Sequence, residues 1–190
     1  MLSSERLDPI HAALTDLEHF IESFLPGEGA GWLRRNLSHM TLSVGGFPHW
    51  IVTRLTRKSM TVVFPQRSIW FADTFTSMEH PEHHIVHELA HAIDNSLSER
   101  LLPATLFGGG PADKLIRSLG GNPAGLRVGN PFSVPSGYRW SEKVNGGYGN
   151  SSTAEYFAES LCWTIYNPAL LPSLHIGDHL RQILLDYQIR

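Results

Sequence analysis

Residues 81–98 run Pro81-Glu82-His83-His84-Ile85-Val86-His87-Glu88-Leu89-Ala90-His91-Ala92-Ile93-Asp94-Asn95-Ser96-Leu97-Ser98. Proline suits the first turn of a helix, where its missing N–H is not needed. Val86, Ala90, Ile93 and Leu97 then recur at helical spacing, with Ile85, Leu89 and Ala92 adjoining, so the pattern predicts a largely buried helix over 82–98. Its remaining stripe is polar, with His84, His87, His91, Asp94 and Ser98, and histidines on such a stripe face a cleft.

Within this helix, His87-Glu88-Leu89-Ala90-His91 has the HExxH pattern. Residues four apart on a helix lie over one another, so both imidazoles can reach one cation. Glu88 sits about 100° around the helix, close enough to address a water beside that cation without coordinating it. The eleven histidines of this chain raise the rate of chance matches. The apolar helical setting supports the metal reading; the bland alternative, two solvent-facing histidines, leaves the polar stripe unexplained.

A catalytic zinc takes three protein ligands and leaves a fourth position for water. Ala92-Ile93-Asp94-Asn95 after the motif carries no third histidine at the short spacing of HExxHxxGxxH. The remaining candidate is a glutamate on a separate helix, and Glu155-Tyr156-Phe157-Ala158-Glu159 supplies one. Carboxylates at i and i+4 repel one another, so Glu155 and Glu159 need a positive partner. Glu155 is assigned as the third ligand. Glu159 is expected to accept from the N–H of a ligand histidine and so orient it. The alternative is that Ser152-x-x-Glu155 is only a capping box. Asp94, three residues past His91, is placed among the groups around the ligands, either holding a histidine or capping a neighbouring turn. His84 either touches substrate or is a near-surface histidine, and the His175/His179 pair is expected at the surface.

Outward from this centre, Asp8-Pro9 suggests the start of a helix carrying Ile10, Leu14, Leu17, Ile21 and Phe24 and ending near Pro26-Gly27. A shorter helical stretch spans about 32–40. Strand candidates are 50–55, 60–64 and 69–72. Between 103 and 150 lie 11 of the 17 glycines and 5 of the 12 prolines, which marks a mostly looped segment with one short helical candidate at 112–119. Ser152 caps a helix through about Tyr166, stopped by Asn167-Pro168, and a last amphipathic helix uses Leu174, Leu180, Ile183, Leu184 and Tyr187.

The chain's 190 residues suit one domain with a real core. A formal net charge of −3 with 17% charged residues has no basic excess to track a phosphate backbone, so no nucleic-acid partner is expected. A peptide or protein substrate fits better. No apolar run reaches the length of a membrane span, and Met1-Leu2-Ser3-Ser4 lacks a signal-peptide pattern. With Cys162 as the only cysteine, no intrachain disulfide can form. No Gly-x-Ser-x-Gly elbow is present, and Gly108-Gly109-Gly110 lacks the continuation of a phosphate-binding loop.

Together, HELAHAID (87–94) and EYFAES (155–160) resemble the gluzincin metallopeptidases, most of all the group that includes the anthrax lethal factor protease domain and the Pro-Pro endopeptidases. The resemblance spans about 69–166. In that group a tyrosine seven residues before the zinc glutamate stabilises the oxyanion, and here that position is Tyr148, in Asn145-Gly146-Gly147-Tyr148-Gly149-Asn150. The stretch 92–154 is longer than in small members.

The resemblance implies a zinc-dependent endopeptidase of toxin or effector type, secreted or delivered. The expected architecture is α+β, a zincin-like two-lobed unit over 1–190. Its N-terminal lobe, about 1–100, holds a small mixed sheet and the HExxH helix; its helical C-terminal lobe, about 101–190, brings Glu155. The last strand before the active helix, near 69–73, is expected to be an exposed edge to which a peptide adds. One zinc ion is expected, with Glu88 as general base and Tyr148 as oxyanion donor. Two rivals are a catalytically inactive zinc-binding interaction module and a metal-free structural domain.

Overall fold

The computed structural model describes residues 4–44, 60–63, 68–71, 75–97 and 109–187. In chain order its regular elements are α1 (Ser4–Glu22), α2 (Gly29–Leu37), β1 (Thr41–Val44), β2 (Met60–Val63), β3 (Ser68–Phe71), α3 (Pro81–Ser96), α4 (Pro111–Ser118), α5 (Pro123–Arg127), α6 (Thr153–Tyr166) and α7 (His175–Asp186). The class is α+β, mostly helical with one small mixed sheet. No helix among the described residues is long and apolar enough to cross a membrane.

Apolar spacing explains which faces are inside. Along α1, Ile10, Ala13, Leu17, Phe20 and Ile21 form a buried stripe at helical spacing. The helix begins at Ser4, earlier than the Asp8-Pro9 start expected, and carries Pro9 inside it. Pro9 is the sixth residue of this helix, past its four unpartnered N–H groups, so its missing donor leaves the Glu5 carbonyl without the usual i→i−4 bond. Trp32 of α2 is fully buried. In α7, Leu180, Ile183 and Leu184 are buried as expected, but Leu174 lies just before the helix and is 68% exposed.

The sheet overturns one expectation. Its order is β1-β3-β2, with β1 parallel to β3 and β2 antiparallel to it. Ile69 pairs with Leu42 on one side and Val62 on the other. Strand β3 is therefore central, with both sets of backbone groups engaged, and offers no free edge to a peptide. The strand expected at 60–64 appears as β2, while the candidate at 50–55 lies outside the described residues. Strand β1 was not anticipated, since its four residues follow a helix with little periodicity of their own.

Helix α3 lies at the centre of the packing: it meets α1, α2, β2, β3 and α4, and its most extensive partner is α6. Ile85, Val86, Leu89, Ala90, Ala92 and Ile93 are buried on it. On α6, Tyr156, Phe157, Ala158, Leu161 and Cys162 are buried. Two helices with such wide apolar faces pack in direct contact, and that contact brings Glu155 and Glu159 opposite the histidines of α3.

Candidate metal centre

His87 and His91 occupy successive turns of α3, and their rings stand 4.9 Å apart at 80°. Their Nε2 atoms are 3.2 Å apart. Glu155 Oε2 completes a triangle, 3.0 Å from His87 Nε2 and 3.3 Å from His91 Nε2. All three side chains are largely enclosed, between 13% and 16% exposed.

Hydrogen bonding alone does not satisfy this triangle. Each Nε2 carries at most one in-plane proton. If both histidines donate to Glu155, two N–H groups face one another; if only one donates, a bare nitrogen faces either the carboxylate or its neighbour's lone pair. A cation among the three satisfies every contact. Tetrahedral zinc with ligand bonds of about 2.0–2.1 Å sets its ligands roughly 3.3 Å apart, which the observed edges of 3.0, 3.2 and 3.3 Å approach. The donor set of two imidazoles and one carboxylate fits zinc.

Local sequence explains how Glu155 reaches this point. Ser152, in extended conformation, accepts the Glu155 N–H on its Oγ at 3.2 Å and starts α6. The capping box is only half made, because the Glu155 carboxylate turns to the histidines. Its other oxygen, Oε1, accepts from the Tyr148 hydroxyl at 2.9 Å. Burial works against the Glu155 charge, but the hydrogen bonds from His87 and His91 hold its carboxyl well below the usual range. Burial likewise opposes charge on His91, and Glu155 outweighs it, raising that imidazole. The Tyr148 phenol is pushed up by burial and then by the charge of Glu155, so it stays a donor.

Glu159, one turn beyond Glu155, is 4% exposed. Its Oε1 lies 3.6 Å from His87 Nδ1, a charge–dipole approach longer than a hydrogen bond. Glu88 is half-buried beside His87, and its charge acts on His84, His91 and Tyr148, so it borders the same centre.

Asp94 does not serve a histidine. Its Oδ1 accepts from the backbone N–H of Ala112 at 2.8 Å, and its Oδ2 has no partner among the described residues. The residue caps the first turn of α4, whose own N-cap, Gly110, offers no side chain. Of the two roles weighed for it, the packing of α3 on α4 selects the cap. Burial pushes its carboxyl up to about 6.

Two residues that the sequence reading passed over hold Glu159. Trp163 Nε1 donates to Oε2 at 2.7 Å and Asn145 Nδ2 donates to Oε1 at 2.9 Å. Each left a signal: Trp163 is four positions after Glu159 on one helix face, and Asn before Gly-Gly marks a left-handed turn.

A cleft of about 510 Å³ between α3 and α6 ends at His87 and Glu159 and is walled by Met78, His80, His84 and Trp163. Beside it, His80, Glu82 and His83 also bring ligand atoms within 4.8 Å of one another. Their rings argue against a shared ion, because His80 and His83 stack at 5.0 Å and 21°, and one ion within bonding reach cannot lie in two nearly parallel, offset ring planes. His83 stacks again on Tyr166, at 3.9 Å. At the far end of the chain His175 is exposed and His179 half-buried.

No family model, curated protein or solved structure matches this chain. What the site can do is therefore a matter of its own atoms: a triangle of His87, His91 and Glu155 that could hold a cation, Glu88 next to His87, and a phenol that donates to Glu155.

Proposed function

We propose that this chain is a zinc-dependent endopeptidase of gluzincin type, on a zincin-like two-lobed fold, acting as a toxin or delivered effector. The observation that carries the reading is the convergence of His87 Nε2, His91 Nε2 and Glu155 Oε2 within 3.3 Å of one another, with the Tyr148 hydroxyl on the remaining oxygen of Glu155. Binding zinc needs neither Glu88 nor Tyr148; hydrolysis needs both a base and an oxyanion donor.

Zinc held there supplies a Lewis acid and a water acidic enough to ionise near neutral pH. The chain's own residues do the rest. Glu88 takes the proton of the attacking water and returns it to the leaving amine. Tyr148 exchanges Glu155 Oε1 for the substrate oxygen as negative charge develops on it, and its raised pKa keeps the proton it must donate. Glu159 steadies the His87 ring from behind, and the cleft ending at His87 has room for a substrate side chain.

Cleavage profiling on a mixed peptide library, with and without a chelator, tests the reading. Internal peptide-bond cleavage that a chelator abolishes and added zinc restores is expected. A fully zinc-loaded protein that cleaves nothing in the library favours the rival, a zinc-binding interaction module.

A further inference from the structure

A carboxylate as deeply buried as Glu159 needs donors on both oxygens. Trp163 serves Oε2 from the next turn of the same helix, a local bond that any packing of α6 preserves. Asn145 serves Oε1 from outside the helix, and its backbone is set for the task. Asn145, Gly146 and Gly147 have φ values of 46°, 62° and 70°, three left-handed residues in succession. Glycine adopts this region freely, whereas asparagine is among the few other residues that tolerate it. A non-glycine residue held there indicates a local constraint, and here that conformation delivers its amide to Glu159 at 2.9 Å.

The segment that follows is tied down again at its other end. Asn150 exchanges two hydrogen bonds with the Trp140 backbone, at 3.0 and 2.8 Å, and Gly149 approaches the Trp140 ring so closely that a Cβ there would clash. Tyr148 projects from between these two anchors. One of them is fixed to Trp140; the other is fixed to the carboxylate behind a metal-ligating histidine.

We propose that Asn145 is a positioning residue whose amide latches the Tyr148 loop to Glu159, so that the phenol donor and His87 are referenced to one shared carboxylate. Its catalytic meaning rests on the peptidase reading above; the latch itself does not. Losing the amide removes the anchor on the N-terminal side of Tyr148, leaves the Trp140 anchor on the other, and lets the phenol drift from Glu155, while the three ligands keep their own helices.

The test compares the zinc-loaded parent with Asn145→Gly and Asn145→Asp, reading amide hydrogen exchange over 147–151 and kcat and KM on a cleaved peptide. Glycine relieves the left-handed backbone but removes the donor. Aspartate keeps the size and backbone tolerance but turns a second acceptor toward Glu159. Faster loop exchange by about tenfold or more is expected in both, greater for aspartate, as the loss of one hydrogen bond to a buried carboxylate allows. The kcat should fall similarly with KM and zinc content unchanged, and adding Asn145→Gly to Tyr148→Phe should cost nothing further, since the latch acts through the tyrosine. Exchange within about twofold of the parent in both variants, or a full additional loss in the double variant, would overturn the proposal. If the parent cleaves no peptide, the peptidase reading fails and the exchange measurement alone decides the latch.

Discussion

The Tyr148 hydroxyl stands 2.9 Å from Oε1 of Glu155, seven residues on, while Oε2 of that carboxylate lies 3.0 Å from His87. One carboxylate thus joins a phenol donor to the histidine pair. The protonation states suit this arrangement: Glu155 is held well below the usual carboxyl range and Tyr148 above the usual phenol range. Both groups keep these states across neutral pH, so Glu155 stays an acceptor and Tyr148 a donor.

On the proposed mechanism, Tyr148→Phe keeps the ring and removes one charge-assisted bond from the transition state. The expected loss in kcat is roughly 10²–10³, with KM little changed because the bond to substrate forms mainly as charge develops. Steady-state kinetics on a cleaved peptide measures it. A variant with zinc bound and kcat within about twofold of the parent would show that Tyr148 only braces Glu155.

Glu88 lies beside the triangle without belonging to it. On the proposed mechanism, Glu88→Ala should keep both fold and zinc yet lose turnover by about 10²–10⁴, since it removes only the proton acceptor for water. Metal analysis and a peptide assay on the same preparation separate the two properties, and near-normal cleavage would rule out Glu88 as the base.

Much of this site was legible because it depends on short-range geometry. The stacking of His87 over His91, and of Glu155 before Glu159, follows from the helical repeat alone. Ser152 announced the start of α6, and its Oγ does accept from Glu155 N–H. What was not legible depends on how elements meet. Strand β3 has no mark of its own that distinguishes a centre from an edge; its place was set by β1, whose Thr41-Leu42-Ser43-Val44 is too short to declare itself. Asp94 shared the polar stripe of the histidines, yet the docking of α4 claimed it as a cap. The bond from Asn145 to Glu159 required knowing that three left-handed residues turn the loop back on α6.

Asp94 also sets a pH dependence. Its folded value of about 6 is above the ordinary carboxyl value of 3.8, so between these the folded chain binds a proton the unfolded chain has lost. Its contribution is fully present below about pH 4 and is lost as pH rises through about 6, on the order of 2–3 kcal/mol in all. Asp94→Asn retains an acceptor for Ala112 and cannot ionise. In chelator-treated protein, denaturant melts of parent and variant should therefore diverge in the variant's favour from pH 4 to pH 7, by roughly that amount. A constant difference across this range would mean that Asp94 ionises in the folded chain as it does in the unfolded one.

The central claim is that His87, His91 and Glu155 hold one zinc ion, and metal content measured on purified protein tests it most directly. The parent should carry about one zinc per chain. Glu155→Ala should lose most of it, and Glu159→Ala should weaken binding by about 10–100-fold without abolishing it. A parent that takes up no zinc from a zinc-supplemented buffer, or a Glu155→Ala variant that stays fully loaded, would contradict the account.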